Sequence, residues 1–407
     1  MSVPDLRRSW IFFGDPAQHL LGAPMPATMT KSPSVVTPAR SASTSSTGTT
    51  SQSGQSSNAT NAATDRMADT IRLADSNGDR RADLWLYAGE TGSYAAALNG
   101  ANGRMTFRAG VWDRGWQVVA ADLNGDGTAD FAFYKSETAE WVQALASGDG
   151  SFAFTRGTFA AAGRMQLVVA DFNNDRRDDV LLYNAANGAW TIAYSDGRGG
   201  FTTRTGSWLA GLRVRAGDFN ADGYADVFGY DSVTGAGVLA LNRRDGQFTA
   251  STGDWGRGWR VSVARLDGNT TSDLLFYNPS TGAWQAAFAD GSGRFSTKSG
   301  SWPAALELHV ADLDGDGRDD LFGYDPTTGQ VMTALNTANG RFSVTTAAWT
   351  TGWTVAVGDL NGDGRDDVAL YDAATGIWIQ CVSAGNGSFT FTSGTALTDA
   401  APVGVPQ

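Results

Sequence analysis

The sequence predicts an all-β protein, a seven-bladed β-propeller of four-stranded blades with one acidic loop in each blade. Three observations lead to this prediction. The loop recurs seven times after residue 69, at a spacing of 47 residues with a single spacing of 49. Four short apolar segments, separated by turns that contain Gly, fill each repeat, and helical periodicity is absent. A fixed period of this length, filled by four strands, is typical of propeller blades.

The elements follow one another in the same order in every repeat. An apolar strand such as residues 116–120 precedes the loop, and a second strand such as 273–277 follows it. A turn such as Thr281-Gly282 leads to a third strand, and a second Gly-rich turn leads to a fourth, which starts at Phe295 in the fifth repeat. Aromatic residues recur at fixed positions and are interpreted as core between blades. They are Tyr87, Tyr134, Tyr183, Tyr230, Tyr277, Tyr324 and Tyr371 in the second strands, Trp141, Trp190, Trp284 and Trp378 in the third, and Trp112, Phe159, Trp208, Trp255, Trp302 and Trp349 before the loops.

Composition excludes several classes of function. The 407 residues carry a formal net charge of −12, and an acidic chain without a basic block is a poor partner for nucleic acid. One Cys and two His exclude a disulfide framework and a thiolate or His-rich metal site. No apolar stretch approaches the ~18 residues of a membrane span, so membrane insertion is not expected.

The chain divides into a tail, a propeller and a short C-terminal extension. Residues 1–68 are expected to be a disordered tail or linker, because residues 31–64 are almost wholly small and polar. The start of this tail resembles a secretion signal only loosely, since Asp15 ends the apolar run that begins at Trp10. The propeller is expected over residues 69–399, and residues 400–407 form a C-terminal tail. Ring closure is expected near Ala396, where the recurring aromatic is missing.

The acidic loops have the ligand pattern of calcium sites. Oxygen-bearing side chains occupy loop positions 1, 3, 5 and 9, and a Gly at position 6 of several loops lets the backbone fold round an ion. Seven such loops at one period favour a cation over simple turn capping, because about three carboxylates within nine residues repel one another. The sequence therefore predicts about six Ca²⁺ sites. The candidate ligands are Asp75, Asn77, Asp79 and Asp83; Asp122, Asn124, Asp126 and Asp130; Asp171, Asn173, Asp175 and Asp179; Asp218, Asn220, Asp222 and Asp226; Asp312, Asp314, Asp316 and Asp320; and Asp359, Asn361, Asp363 and Asp367.

The fifth loop departs from the pattern. Arg265 occupies position 1, while Asp267, Asn269 and Asp273 remain at the other ligand positions. A cation at position 1 can pair with Asp273 and replace the metal. This loop is therefore predicted to bind metal weakly or not at all.

The repeated D-x-[ND]-x-D-G-x-x-D loop between two strands resembles the FG-GAP/VCBS repeats of the integrin α-subunit propeller. Seven copies with Trp and Gly-rich turns also resemble propeller lectins such as that of Psathyrella velutina and its bacterial relatives. The resemblance covers about 330 of the 407 residues. It implies calcium binding and an extracellular or secreted location, whereas the first 30 residues do not support export. For function it is less specific, since such propellers serve as lectins, adhesins and enzyme appendages.

A lectin is the favoured function, with glycans as partners and weak sites repeated at blade junctions. Two Trp residues lie four apart before three loops, and they are the candidate sugar-binding residues: Trp112 and Trp116, Trp255 and Trp259, Trp349 and Trp353. A core role for the second Trp of each pair is the competing interpretation. An extracellular adhesion or protein-interaction propeller is the alternative function. An enzyme is not expected, because no nucleophile and base can be paired.

Three further positions are interpreted from their equivalents in other repeats. Gly229 and Gly323 replace larger residues in repeats 4 and 6, which also lack the third-strand Trp at Gly237 and Val331. Either another side chain fills that space or a pocket lies there. Cys381 stands where six other repeats have Ala, which predicts a packing position.

Overall fold

The computed structural model describes residues 70–100, 105–160, 162–338, 340–372 and 376–395, and these residues form 28 β-strands. The predicted tails at 1–68 and 400–407, and the expected seam at Ala396, lie outside the described residues. The described part of the chain contains no helix long and apolar enough to cross a membrane.

The strands are numbered in chain order, and each blade takes four consecutive strands. Blade 1 contains β1 (Thr70–Ala74), β2 (Asp83–Tyr87), β3 (Ser93–Asn99) and β4 (Met105–Val111). Blade 2 contains β5 (Trp116–Ala121), β6 (Asp130–Lys135), β7 (Glu140–Ala146) and β8 (Phe152–Thr158). Blade 3 contains β9 (Gln166–Ala170), β10 (Asp179–Tyr183), β11 (Ala189–Ser195) and β12 (Phe201–Ser207). Blade 4 contains β13 (Arg213–Gly217), β14 (Asp226–Tyr230), β15 (Ala236–Asn242) and β16 (Phe248–Asp254).

The remaining blades repeat this arrangement. Blade 5 contains β17 (Arg260–Ala264), β18 (Asp273–Tyr277), β19 (Ala283–Ala289) and β20 (Phe295–Ser301). Blade 6 contains β21 (Glu307–Ala311), β22 (Asp320–Tyr324), β23 (Gln330–Ala338) and β24 (Arg341–Ala348). Blade 7 contains β25 (Thr354–Gly358), β26 (Asp367–Asp372), β27 (Ile377–Ser383) and β28 (Phe389–Thr395). Each set of four forms its own antiparallel sheet in sequential order, which confirms the predicted seven-bladed, all-β architecture.

Burial within a blade depends on the position of the strand in the sheet. Every residue of the second strand of blade 3, β10, is buried, because both of its faces pack against neighbouring blades. The fourth strand, β12, buries only part of Phe201 and exposes its other residues. This gradient explains the sequence pattern, since second strands are almost wholly apolar while fourth strands are rich in Ser and Thr.

Backbone hydrogen bonds between the acidic loops close the ring. In every loop the amide at position 8 donates to the carbonyl oxygen at position 1 of the preceding blade's loop. The seven donor–acceptor pairs are Ala129 to Asp75, Asp178 to Asp122, Ala225 to Asp171, Ser272 to Asp218, Asp319 to Arg265, Asp366 to Asp312 and Ala82 to Asp359, at 2.6 to 3.0 Å. The last pair joins blade 1 to blade 7, and Leu73 and Leu360 share one core there. The ring therefore closes without exchange of strands between blades.

The recurrent Tyr residues of the second strands hold the chain segments that connect successive blades. The hydroxyl of Tyr230 donates to the carbonyl oxygen of Gly256 at 2.6 Å and accepts from the amide of Trp259 at 3.4 Å. Tyr324 makes the same two contacts with Thr350 and Trp353. The Tyr side chain thus contributes more than core volume, because it fixes the connector that follows its own blade.

The unusual glycines of repeats 4 and 6 make room for neighbouring side chains. A Cβ at Gly229 would lie 2.7 Å from Cδ1 of Leu212, and one at Gly323 would lie 2.9 Å from Cδ1 of Leu306. The space of the missing Trp at Gly237 is taken by the indole of Trp255, whose Cδ1 would be 2.4 Å from a Cβ there. Of the two interpretations left open by the sequence, compensating packing is the one that the structure supports. Cys381 is fully buried, as its equivalents predict.

Candidate functional site

The first Asp of an acidic loop organises the loop backbone. In the third loop, one oxygen of Asp171 accepts from the amide of Asp175 at 3.2 Å, and the other accepts from the amide of Arg176 at 2.8 Å. The same arrangement recurs at Asp122, Asp218 and Asp359. The loop is therefore curled round its first carboxylate, in the manner of an Asx turn.

The Asp at position 9 ties the loop to the blade. Asp179 is fully buried, and its two oxygens accept from the amide of Phe172 at 3.0 Å and from the amide of Ser195 at 2.9 Å. These two amides lie at loop position 2 and at the end of the third strand. All seven position-9 residues make both contacts: Asp83, Asp130, Asp179, Asp226, Asp273, Asp320 and Asp367.

Burial makes these carboxylates difficult to ionise in the absence of a cation. Desolvation raises the pKa of Asp130 to about 7 and that of Asp179 to about 8, and it outweighs the hydrogen bonds that both side chains accept. The neighbouring carboxylates of the same loops add to the rise, namely Asp126 and Asp122 for Asp130. A bound cation would have the opposite effect, because it favours the charged form.

The donor set of the loops suits a hard cation. In the sixth loop, one carboxylate oxygen from each of Asp312, Asp314 and Asp320 lies within 4.8 Å of the others. Ca²⁺ takes oxygen ligands at about 2.3–2.6 Å, so ligands of a single ion lie within about 5 Å of one another. In the other loops of this type, position 3 is an Asn whose amide oxygen is the corresponding donor. The residues present thus fit calcium.

Arginine side chains form ion pairs with several of the position-5 carboxylates, a feature not expected from the sequence. Arg177, Arg318 and Arg365 at loop position 7 pair with Asp175, Asp316 and Asp363. Arg244 reaches Asp222 at 3.2 Å. Part of the repulsion within these loops is therefore relieved by the protein itself.

The fifth loop uses its Arg differently from the prediction. Asp273 accepts from the amides of Leu266 and Ala289 like its equivalents, and Arg265 is exposed. Burial raises the pKa of Asp319 in blade 6, and Arg265 offsets part of that rise through its backbone amide and its charge. Arg265 is not among the influences on the pKa of Asp273. The expected ion pair with Asp273 is thus wrong, because the Arg265 side chain is exposed whereas Asp273 is fully buried.

The six Trp residues singled out as sugar-binding candidates lie at three blade junctions and are all half-buried. Trp112 stacks on Tyr94 with ring centroids 4.2 Å apart, and Trp255 stacks on Phe276 at 5.0 Å. Trp259 donates its indole N–H to the carbonyl oxygen of Trp255 at 3.0 Å. The competing interpretation of these residues as core agrees with this packing, although each keeps an exposed part.

Two open grooves lie at other junctions and have the same construction. The first, the Trp208 groove, lies between blades 3 and 4, has a volume of about 660 Å³ and includes Trp190, Trp208 and Phe248 in its lining. The second, the Trp302 groove, lies between blades 5 and 6, has a volume of about 490 Å³ and includes Trp284, Trp302 and Phe342.

Each groove is built on a pair of stacked indoles. The ring centroids of Trp190 and Trp208 are 5.0 Å apart with planes at 27°, and those of Trp284 and Trp302 are 4.7 Å apart at 17°. A Phe from the next blade packs edge-on against both rings in each case. An apolar aromatic floor bordered by polar side chains is the usual construction of a small-molecule site.

The comparisons with known proteins agree with this architecture. Residues 171–229 and 312–370 match the FG-GAP-like repeat family, and each segment begins at position 1 of an acidic loop. These two segments are FG-GAP-like repeats. The two matched segments contain loops 3, 4, 6 and 7, and loops 1, 2 and 5 lie outside them. No curated protein matches the chain.

Several solved structures share the fold at low sequence identity. An Agrocybe aegerita lectin, described as recognising non-reducing terminal N-acetylglucosamine, aligns with a TM-score of 0.62 at 19% identity, covering 76% of this chain and 89% of its own. A protein of unknown function from Desulfotomaculum acetoxidans aligns with a TM-score of 0.51 at 9% identity, covering 75% and 98%. BBS1N, solved in complex with ARL6DN, aligns with a TM-score of 0.50 at 9% identity, covering 81% and 93%.

The two grooves were not predicted as sites from the sequence. Gly206 and Gly300 pair directly with Trp190 and Trp284 across the third and fourth strands. A Cβ at Gly206 would lie 2.2 Å from the Trp190 ring. The Gly opposite each of these two Trp residues lets the indole lie flat across the fourth strand, where it forms part of the groove floor.

Proposed function

We propose that this protein is a calcium-stabilised, carbohydrate-binding propeller with more than one sugar site at its blade junctions. The observation that carries the proposal is the repeated groove with a stacked Trp pair at Trp208 and Trp302. Sugars bind through the apolar face of their ring, with a few polar groups fixing the orientation. The shared fold with the Agrocybe aegerita lectin supports the same function.

Calcium has a structural role in this proposal. The residues that would hold it are those at positions 1, 3, 5 and 9 of six loops, and in loop 6 three of them, Asp312, Asp314 and Asp320, bring carboxylate oxygens together. The ion would supply positive charge to carboxylates that burial otherwise keeps from ionising. An extracellular location follows as part of the proposal, since free calcium is abundant there.

The proposed role is binding without a catalytic step. His309 is the single His among the seven repeats. Burial lowers its pKa to about 4, so it would be an uncharged side chain at neutral pH rather than a proton shuttle. Two similar sites on one rigid ring instead favour avidity, in which weak individual contacts add up on a surface rich in glycans.

A protein-binding propeller is the second candidate. Large apolar side chains are exposed on the outer strands of several blades, including Phe154 at 45% and Phe391 at 41%. Exposed apolar residues of this kind suit a protein partner. BBS1N, which shares the fold, was solved in complex with a protein.

A glycan array screened in millimolar calcium tests the proposal. Binding that free sugar competes away would support a lectin. A blank array, obtained with protein shown to be folded by circular dichroism, would overturn the lectin and leave the protein-binding propeller.

Two sets of variants locate the sites. The Trp208→Leu/Trp302→Leu double variant is expected to lose binding, because both groove floors are removed. The Trp116→Leu/Trp259→Leu/Trp353→Leu triple variant tests the junctions singled out from the sequence. Leu209→Ala is the matched control, since this exposed residue adjoins Trp208 without lining the groove. Loss of binding in the triple variant alone would show that the sugar sites lie at these three junctions and not in the grooves.

A further inference from the structure

The two grooves differ in the charge of their walls. Arg204, on β12, lines the Trp208 groove beside the stacked indoles. The equivalent residue of blade 5 is Lys298, which is not among the residues that line the Trp302 groove. Its ammonium lies 5.3 Å from the centre of the Phe288 ring, over the aromatic face. One groove thus has a cation in its wall, and the other has a neutral wall.

Arg204 is available to a ligand. It is exposed, and within the described part of the chain no carboxylate forms an ion pair with it. Its aliphatic stem is held in place, because Cδ would be 2.8 Å and Nε 2.9 Å from a Cβ at Gly246 of blade 4. The stem of Arg204 thus packs over Gly246, which leaves the guanidinium at the groove wall.

Two polar atoms close to this groove also lack partners. The indole N–H of Trp190 and the hydroxyl of Tyr194 are buried without a hydrogen-bond partner among the described residues. The Tyr194 hydroxyl would be 2.9 Å from the same Gly246 Cβ that Arg204 approaches, so it lies next to the guanidinium. Blade 5 has Phe288 at the position of Tyr194, so the Trp302 groove has no such hydroxyl.

We infer that the Trp208 groove binds a sugar that carries a carboxylate, a uronic acid, and that the Trp302 groove binds neutral sugars. This inference rests on the proposed function. The ring of the sugar stacks on Trp208, and the carboxylate pairs with Arg204. A guanidinium suits this ligand because its planar fork matches the geometry of a carboxylate.

The experiment compares methyl glucuronide with methyl glucoside, which share the ring and differ in the carboxylate. Indole N–H resonances of the full chain in calcium report binding at each groove separately, with Trp190 and Trp284 assigned by single Trp→Phe variants. The expected result at the Trp190 resonance is an affinity at least about tenfold higher for the glucuronide, as a charge-assisted contact provides. The Trp284 resonance is expected to show no such preference.

The Arg204→Gln variant is expected to remove the preference while the glucoside still binds. Arg198→Gln is the matched control, because Arg198 is an exposed Arg of the same blade that does not line the groove. Equal affinities at Trp190 in the native protein, or a preference that survives Arg204→Gln, would overturn this inference and leave the lectin intact. If neither sugar shifted any indole resonance, the lectin and this inference would both fall.

Discussion

Gly206 and Trp190 face each other across the third and fourth strands of blade 3. The indole lies so close to the glycine that a Cβ there would be 2.2 Å from Cζ2 of the ring. The same relationship holds for Gly300 and Trp284, at 2.7 Å. The missing side chain is what allows each indole to lie flat and receive the second Trp on its other side.

Replacement of Gly206 by Ala should destabilise the fold by about 1–3 kcal/mol, because the indole must leave its position. Gly253 is the matched position in blade 4, where a Cβ would meet only the Trp255 ring, at 3.5 Å, and Gly253→Ala should be neutral or slightly stabilising. Urea denaturation of both variants measures the difference. Equal stability of the Gly206→Ala and Gly253→Ala variants would show that the Trp190 indole can move without loss of stability.

The buried position-9 carboxylates should be essential for stability. Asp179→Ala leaves the amides of Phe172 and Ser195 without acceptors, and each buried amide costs about 1–3 kcal/mol. Asp179→Asn retains one oxygen acceptor, so its free energy of unfolding should fall by less than that of Asp179→Ala. Glu90→Ala, at an exposed turn, is the control and should be within about 0.5 kcal/mol of the native protein. Chemical denaturation in EDTA checks these values, since it separates the hydrogen bonds from metal binding.

Much of the fold could be predicted from the sequence because the same pattern of strands and turns is visible in each of the seven repeats. The period fixed the number of blades, and the recurrence of Tyr at the end of every second strand fixed a core position. The hydroxyl of that Tyr could not be assigned in this way. Its partner, such as Gly256 for Tyr230, is 26 residues away and is a backbone carbonyl, which no side-chain pattern identifies.

The binding surface was harder to predict for a different reason. Trp208 and Trp255 occupy equivalent positions in the sequence, yet Trp208 forms a groove and Trp255 turns into the space left by Gly237. The outcome depends on the residue opposite each Trp rather than on the Trp itself. Comparison of the repeats identifies the residues that all blades have in common, which are core residues. A binding site depends on residues that differ between blades, such as Arg204 in blade 3 and Lys298 in blade 5.

The metal-free protein should become less stable as the pH rises from about 4 to about 7. Burial raises the pKa of the position-9 carboxylates, to about 7 for Asp130 and Asp226 and about 8 for Asp179. The folded state therefore binds protons that the unfolded chain has released, and this stabilisation is lost as the pH passes the folded-state pKa. Melting temperatures in EDTA at pH 5, 6, 7 and 8 should decrease in that order. A melting temperature that rose towards pH 8 would contradict burial as the dominant influence on these groups.

Calcium should reverse that trend and stabilise the protein most above pH 7, where the carboxylates release their protons to the ion. An ion present at about 100 times its dissociation constant contributes about 2.7 kcal/mol for each site. The decisive comparison is the increment in melting temperature between EDTA and millimolar calcium in two variants. Asp312→Ala removes a ligand from the best donor set and should lower the increment, whereas Asp267→Ala, in the loop that begins with Arg265, should leave it unchanged. If both variants lost the same part of this increment, loop 5 would bind calcium. If calcium did not raise the melting temperature of the native protein, calcium would not stabilise this fold.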